Sequence, residues 1–179
     1  FCVGSACLAP FIGEAFFPKV DAGQIRLHVR APAGTRIEET EQLVAAVDRT
    51  VREVIPPHEL AGVLDNIGLP YSQINLSMSD TPTISAADAE ILISLSPEHK
   101  ASTWDYIKTL RRRLREVYPQ GTFSFGAADI VSQILNFGIP SPIDVQVVGR
   151  DPRNYEIAKR LVTEIRSVRG AVDVRIQQE

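Results

Sequence analysis

The feature that most constrains this chain is a doubled order: strand, helix, strand, and then strand, helix, strand again. Gln24 to Ala31 alternates strictly, with Ile25, Leu27, Val29 and Ala31 on one side and Arg26, His28 and Arg30 on the other. That period of two predicts a strand with one buried face. Pro32-Ala33-Gly34 ends it, and Thr35 with Glu38 predicts a capping box. Ile37, Thr40, Val44, Val47, Val51 and Val54 follow at helical spacing until Pro56-Pro57, and a short strand is expected over 60–64. Ala89, Ile91, Ile93 and Leu95 mark another alternating strand. Ser102 is placed to cap a helix with the inner stripe Ile107, Leu110, Leu114 and Val117, and a strand over 121–125 completes the order. Two such units in succession predict an α+β, ferredoxin-like split βαβ (βαββαβ) fold: an antiparallel sheet with both helices on one face.

Pro140-Ser141-Pro142 reads as a rigid connector and sets an expected domain boundary, with one unit over 18–140 and a second over 141–179. In the second, Ile143, Val145 and Val147 alternate with Asp144 and Gln146. Asp151-Pro152 opens a helix striped by Ala158, Leu161, Ile165 and Val168, Gly170 ends it, and Val172, Val174 and Ile176 predict a last strand. This is half of another copy, whose two strands are not neighbours in such a sheet, so a further segment or chain is expected between them. Residues 66–86 form a long polar loop, a length more often functional than structural. Residues 1–17 hold 12 apolar residues and one charge, Glu14. They fall short of the roughly 20 residues a spanning helix needs and are broken by Pro10 and Gly13. They are either a buried first element or the end of a membrane helix that begins upstream.

Function classes narrow by exclusion. With 44% hydrophobic and 23% charged residues and a net charge of −3, the chain is globular, and its acidic balance argues against nucleic acid as a partner. No phosphate-cradling glycine motif and no Gly-x-Ser-x-Gly elbow occurs. His28, His58 and His99 are isolated from one another and from Cys2 and Cys7, so no metal site is expected, and the cysteines read as small apolar fillers. Glu38, Glu39 and Glu41 suit a helix start, and Arg160 with Glu164 has ordinary surface spacing. Arg26, His28 and Arg30 read as a solvated strand face, with a ligand-facing surface as the sharper alternative. Lys108, Arg111, Arg112, Arg113 and Arg115 likewise read as a solvated helix face. The expectation is a non-enzymatic chain with no cofactor.

Several stretches carry a resemblance. They are Phe16-Phe17-Pro18-Lys19-Val20-Asp21-Ala22-Gly23-Gln24, Arg30-Ala31-Pro32-Ala33-Gly34-Thr35 and Asn66-Ile67-Gly68-Leu69-Pro70. Further along come Phe123-Ser124-Phe125 with Ala128-Asp129-Ile130-Val131, Ile134-Leu135-Asn136-Phe137-Gly138-Ile139-Pro140, and Gly170-Ala171-Val172-Asp173-Val174-Arg175. In this order and spacing they resemble the large periplasmic loop in the second half of a resistance–nodulation–division efflux transporter of the hydrophobe/amphiphile type. The resemblance implies the third porter subdomain over 18–140 and the first half of the fourth over 141–179, with residues 1–17 similar to the periplasmic end of a transmembrane helix. It implies proton-driven export of amphiphilic small molecules from a bacterial inner membrane, by a homotrimer working with a periplasmic adaptor and an outer-membrane channel. By position, Arg26, His28, Ile143, Val145 and Val147 resemble the lining of the substrate-access pocket. Gly68, Leu69, Pro70, Tyr71, Asn75 and Asp80 resemble the switch loop. Arg26 and His28 are cationic where drug-exporting relatives often carry apolar side chains or Met, and Ile143 and Val145 are aliphatic where aromatics can occur. Proton-relay residues lie in membrane helices outside this segment.

Two other readings share the fold. One is a stand-alone regulatory module that binds a small ligand at a dimeric sheet interface. The other is an acylphosphatase-like hydrolase, for which Arg36 near Gly34 is the sole anion-cradling candidate.

Overall fold

The computed structural model describes residues 21–69, 83–126, 128, 141 and 143–177. Their elements, in order, are β1 (Gln24–Arg30), α1 (Ile37–Val54), β2 (Leu60–Ile67), β3 (Asp88–Leu95), α2 (Thr103–Val117), β4 (Thr122–Gly126) and α3 (Asn154–Ser167). The four strands form one sheet in the order β2-β3-β1-β4, and every neighbouring pair is antiparallel. That order, with both crossover helices on one face, is the ferredoxin-like arrangement the sequence predicts.

Alternation decides which face is covered. Ile25, Leu27 and Val29 of β1 and Ala89, Ile91 and Ile93 of β3 point to the helices. They meet Val44, Val47 and Val51 of α1 and Ile107, Leu110 and Leu114 of α2 in one core. Strand ends shift slightly from expectation. β2 runs on to Ile67, and β4 begins at Thr122 and ends at Gly126. The stripe residues Ile37 and Val117 lie at helix ends, outside this core, and are exposed.

The two helices start differently. The capping box expected at Thr35 and Glu38 does not form: the Thr35 hydroxyl donates to Pro32 O at 2.6 Å, and the N-cap position is Arg36, with no side-chain cap. A tight turn on Pro32 takes up the hydroxyl first, and Glu38 and Glu39 serve instead as first-turn charges on the helix dipole. α2 is capped as expected, with Ser102 Oγ accepting from the Trp104 amide. Asp21 adds a second cap. Its carboxylate accepts from Thr103 N at 2.9 Å, Ser102 Oγ at 3.2 Å, Gly23 N at 3.2 Å and the Thr103 hydroxyl. Partial burial would raise the Asp21 pKa, but these hydrogen bonds outweigh it and hold the group below its ordinary value.

Gly68 ends β2 in left-handed backbone, φ 74°, and its N–H donates to Asp88 O at 2.8 Å. A Cβ there would lie 3.1 Å from Ile37 Cδ1. Gly68→Ala is therefore expected to cost about 1–2 kcal/mol, read as a lower midpoint in urea with an unchanged slope.

The strands expected over 143–147 and 172–176 form no ladder among the described residues. Strands need neighbours, and these two are not adjacent to each other in a split βαβ sheet. α3 does form and is followed by Gly170 at φ 96°, yet none of its residues is buried. Asp151 acts one turn ahead of the helix, accepting from Arg153 N at 2.9 Å, and the N-cap position itself is Arg153. Residues 1–17, Pro140, Pro142 and Asp129 to Phe137 lie outside the described residues.

Candidate functional site

The face of the sheet away from the helices carries polar and charged side chains. Register places Arg26, His28 and Arg30 of β1 beside Leu92, Glu90 and Asp88 of β3. Gly126, Ser124 and Thr122 of β4 flank β1 on its other side. Leu64 and Asn66 of β2 lie beside Leu92 and Glu90. Three cationic-type side chains on one strand therefore face two carboxylates on the next.

These groups are not solvated, which corrects the expectation drawn from alternation alone. His28, Asp88, Glu90 and Ser124 are each at most 3% exposed. Arg26 pairs with Glu90 through its Nε, and Arg30 Nε lies 2.7 Å from Asp88 Oδ1. His28 Nε2 is 3.1 Å from the same Asp88 oxygen. The opposed charges neutralise one another, and segment 171–177 comes within reach: Arg30 Nη1 also donates to Ile176 O at 3.2 Å.

Asp88 is the centre of this arrangement. Its Oδ2 accepts from the backbone amides of Ile84 and Ser85 at 3.0 and 3.2 Å, while Oδ1 faces Arg30 and His28. Burial by itself would raise the Asp88 pKa. Hydrogen bonds from His28, Arg30 and the Ile84 amide, with the Arg30 charge, hold it well below the ordinary carboxylate range. Its carbonyl meanwhile takes the Gly68 N–H. One residue thus ties His28 and Arg30 of β1 to Gly68 and to the turn that precedes β3.

Toward the β2 edge the open face becomes mixed. A recess of about 580 Å³ is lined there by Arg26 and Glu90, by Leu64, Leu92 and Ala128, and by polar groups including Asn66 and Ser94. Leu64 is 59% exposed, so the recess offers apolar surface beside a tethered ion pair. Such a lining suits a small molecule with an apolar body and a polar end.

The expected site residues divide. Arg26 lines the recess, whereas His28 is buried one step along β1 and is not among its lining residues. Ile143 and Val145 are exposed, Val147 is half-buried, and none of the three lines the recess. Gly68 and Leu69 follow β2 directly, while Pro70, Tyr71, Asn75 and Asp80 fall outside the described residues. Glu90, Leu92, Leu64 and Asn66 belong to the site without having been singled out. The alternation of Ala89 to Leu95 already sends Glu90 and Leu92 to the Arg26 side of the sheet once β1 and β3 are paired.

The basic face of α2 also departs from expectation. Arg112 and Arg113 are exposed, but Arg111 is half-buried, held by Asp173 through Nε at 2.9 Å and Nη2 at 2.7 Å. Elsewhere, Tyr106 Oη donates to Glu59 at 2.7 Å in a buried pair that ties α2 to the residue just before β2. Burial and the Glu59 carboxylate push the tyrosine pKa up to about 12, so this hydroxyl stays a donor. Among the described residues no group of three or more His, Cys, Asp or Glu side chains could hold a metal ion. Nor is any described helix long and apolar enough to cross a membrane.

Comparison with known proteins agrees with this architecture. The chain resembles a heavy metal efflux pump solved in two crystal forms. One form matches with a TM-score of 0.72 and 25% identity over 99% of this chain, the other with 0.69 and 23% over 92%. The chain spans 18% and 17% of the length of the pump chain in those two crystal forms. Comparison with curated protein sequences returned no match. The family model of AcrB, AcrD and AcrF matches residues 1–179. From its whole length, and with a fold shared with porter subdomains, the chain belongs to the AcrB/AcrD/AcrF family of resistance–nodulation–division transporters.

Proposed function

We propose that this segment is a substrate-binding and conduit part of a proton-driven efflux pump, and that the recess beside Arg26 receives amphiphilic compounds on the periplasmic side of a bacterial inner membrane. The observation that carries the reading is the recess lining, where Leu64 and Leu92 give an apolar wall and the Arg26–Glu90 pair a polar end. Among the described residues that lining holds no thiol, thioether or imidazole, the ligands soft metals favour, and its apolar wall suits an amphiphile. The chain's part is to bind and pass on its cargo rather than to catalyse a reaction.

In this reading residues 18–140 form one porter subdomain and 141–179 begin the next, within a homotrimer that meets a periplasmic adaptor and an outer-membrane channel. Arg26 is the pocket residue. His28 supports it through the buried ladder, and Ile143, Val145 and Val147, which do not line the recess, belong to a part of the access path that the second subdomain contributes. Gly68, Leu69, Pro70, Tyr71, Asn75 and Asp80 belong to the switch loop that leaves β2.

Leu64→Glu in the full-length transporter tests the recess. Leu64 is exposed on an edge strand, so the change leaves the core intact. A carboxylate on the apolar wall is expected to weaken the apparent affinity for an amphiphilic dye by about tenfold, with normal expression and assembly. Unchanged dye export would remove the recess from the substrate path. Unchanged dye export together with lost tolerance of silver or copper salts would favour a metal cargo.

A further inference from the structure

Val174 and Ile176 of segment 171–177 are half-buried, while the hydrogen bonds that tie Asp173 to α2 and β4 are made by charge. α3 has no buried residue and Val172 is 58% exposed. Asp173, by contrast, has a side chain only 8% exposed and four hydrogen-bond donors upon it. Arg111 gives two through Nε and Nη2, Arg115 Nη2 gives one at 3.1 Å, and the Phe125 backbone N–H gives one at 3.1 Å. Arg111 also lies 5.0 Å from the Phe125 ring centroid. Among the described residues β4 pairs only with β1, and Asp173 supplies a partner for one N–H on its outer edge, that of Phe125. A second contact lies farther along, where Arg30, itself held by Asp88, donates to Ile176 O.

We propose that Asp173 is a positioning residue: through Arg111, Arg115 and the Phe125 amide it sets where segment 171–177 sits on the β4 edge. The hydrogen bonds of the seam converge on one carboxylate, so they can part and re-form as a unit, as two subdomains that rotate against each other require. The transport role rests on the pump reading above, whereas the seam itself does not. Backbone conformation fits the assignment. Asp173 has φ 57°, a left-handed geometry that Asp, Asn and Gly enter most readily. Asp173→Asn therefore removes the charge with the backbone retained, and Asp173→Gly removes the whole side chain.

Hydrogen exchange on the full-length protein tests the seam without reference to transport. In Asp173→Asn the Phe125 amide and residues 171–177 are expected to exchange at least about tenfold faster, while the amides of α1 and β3 keep their protection. Raising the salt concentration to about 1 M should speed exchange at the same sites in the parent and leave Asp173→Asn unaffected, a signature that packing alone does not give. The double variant Arg111→Gln, Arg115→Gln should loosen the same sites from the other side, and it covers the case of an Asp173 variant that fails to fold. Parent-like exchange at Phe125 in Asp173→Asn, or in the double variant, would overturn the proposal. The positioning role is then read by dye export. Faster exchange with reduced export supports it; faster exchange with unchanged export would overturn it, and would leave the Leu64 test of the recess standing on its own.

Discussion

Asp88→Asn is expected to lower the stability of the folded unit by about 3–5 kcal/mol, seen as a large fall in the urea midpoint. The substitution is nearly isosteric, so the loss is electrostatic. The new amide would turn N–H donors toward Arg30, His28 or the Ile84 and Ser85 amides, all of which already donate to this site or press cationic charge on it. Arg30 would be left partly buried without its counter-charge. The same geometry fixes a pH dependence. Asp88 has a folded pKa below its ordinary value of 3.8, so its contribution is fully present above that value and is lost as pH falls below it toward the folded pKa. Acid titration of stability should therefore fall less steeply below pH 3.8 in Asp88→Asn than in the parent, where Asp21 and Glu59, also shifted down, keep a residual slope.

Leu110→Ala should cost about 2–5 kcal/mol by a different route. Leu110 is fully buried where α2 lies on the sheet, and its removal leaves a void among close-packed aliphatic groups. No titrating group is involved, so the parent's acid slope should persist, shifted downward as a whole. Measured together, the two variants separate loss of the core from loss of the ion ladder. A Leu110→Ala protein with an altered acid slope would mean that the ladder and the core are not independent.

Element type and order were legible because each rests on local period. The alternations of Gln24 to Ala31 and Ala89 to Leu95, and the helical stripes ending at Val54 and Val117, settle which faces pack, and the split βαβ order follows from them. What the sequence does not print is pairing. Arg26, His28 and Arg30 looked suited to water because alternation tells only that they share a face. That Asp88 and Glu90 stand on the adjacent strand follows from register, which is a tertiary property. Asp173 escaped notice for the same reason: its partner Arg111 is 62 residues away, and nothing local ties them. The cap at Asp21 reaches across 82 residues to Thr103 and is equally invisible. The Thr35 box shows the reverse error, a local signal overruled by a turn on Pro32, three residues before Thr35. Arg26 was found by resemblance, while its recess neighbours Leu64 and Asn66 needed the pairing of β2 with β3.

Asp21 has a mechanical meaning. It stands three residues before a central strand, and its carboxylate grips the start of α2. Tension applied to the chain at that point, along the axis of β1, would first load this grip. It would then load the ladders to β3 and β4 together, in shear, so that many hydrogen bonds must yield at once instead of unzipping one by one. The edge strand β2, paired on one side alone among the described residues, would peel under far less force. The fold is thus stiff where the chain enters it and compliant at the β2 edge that forms the recess.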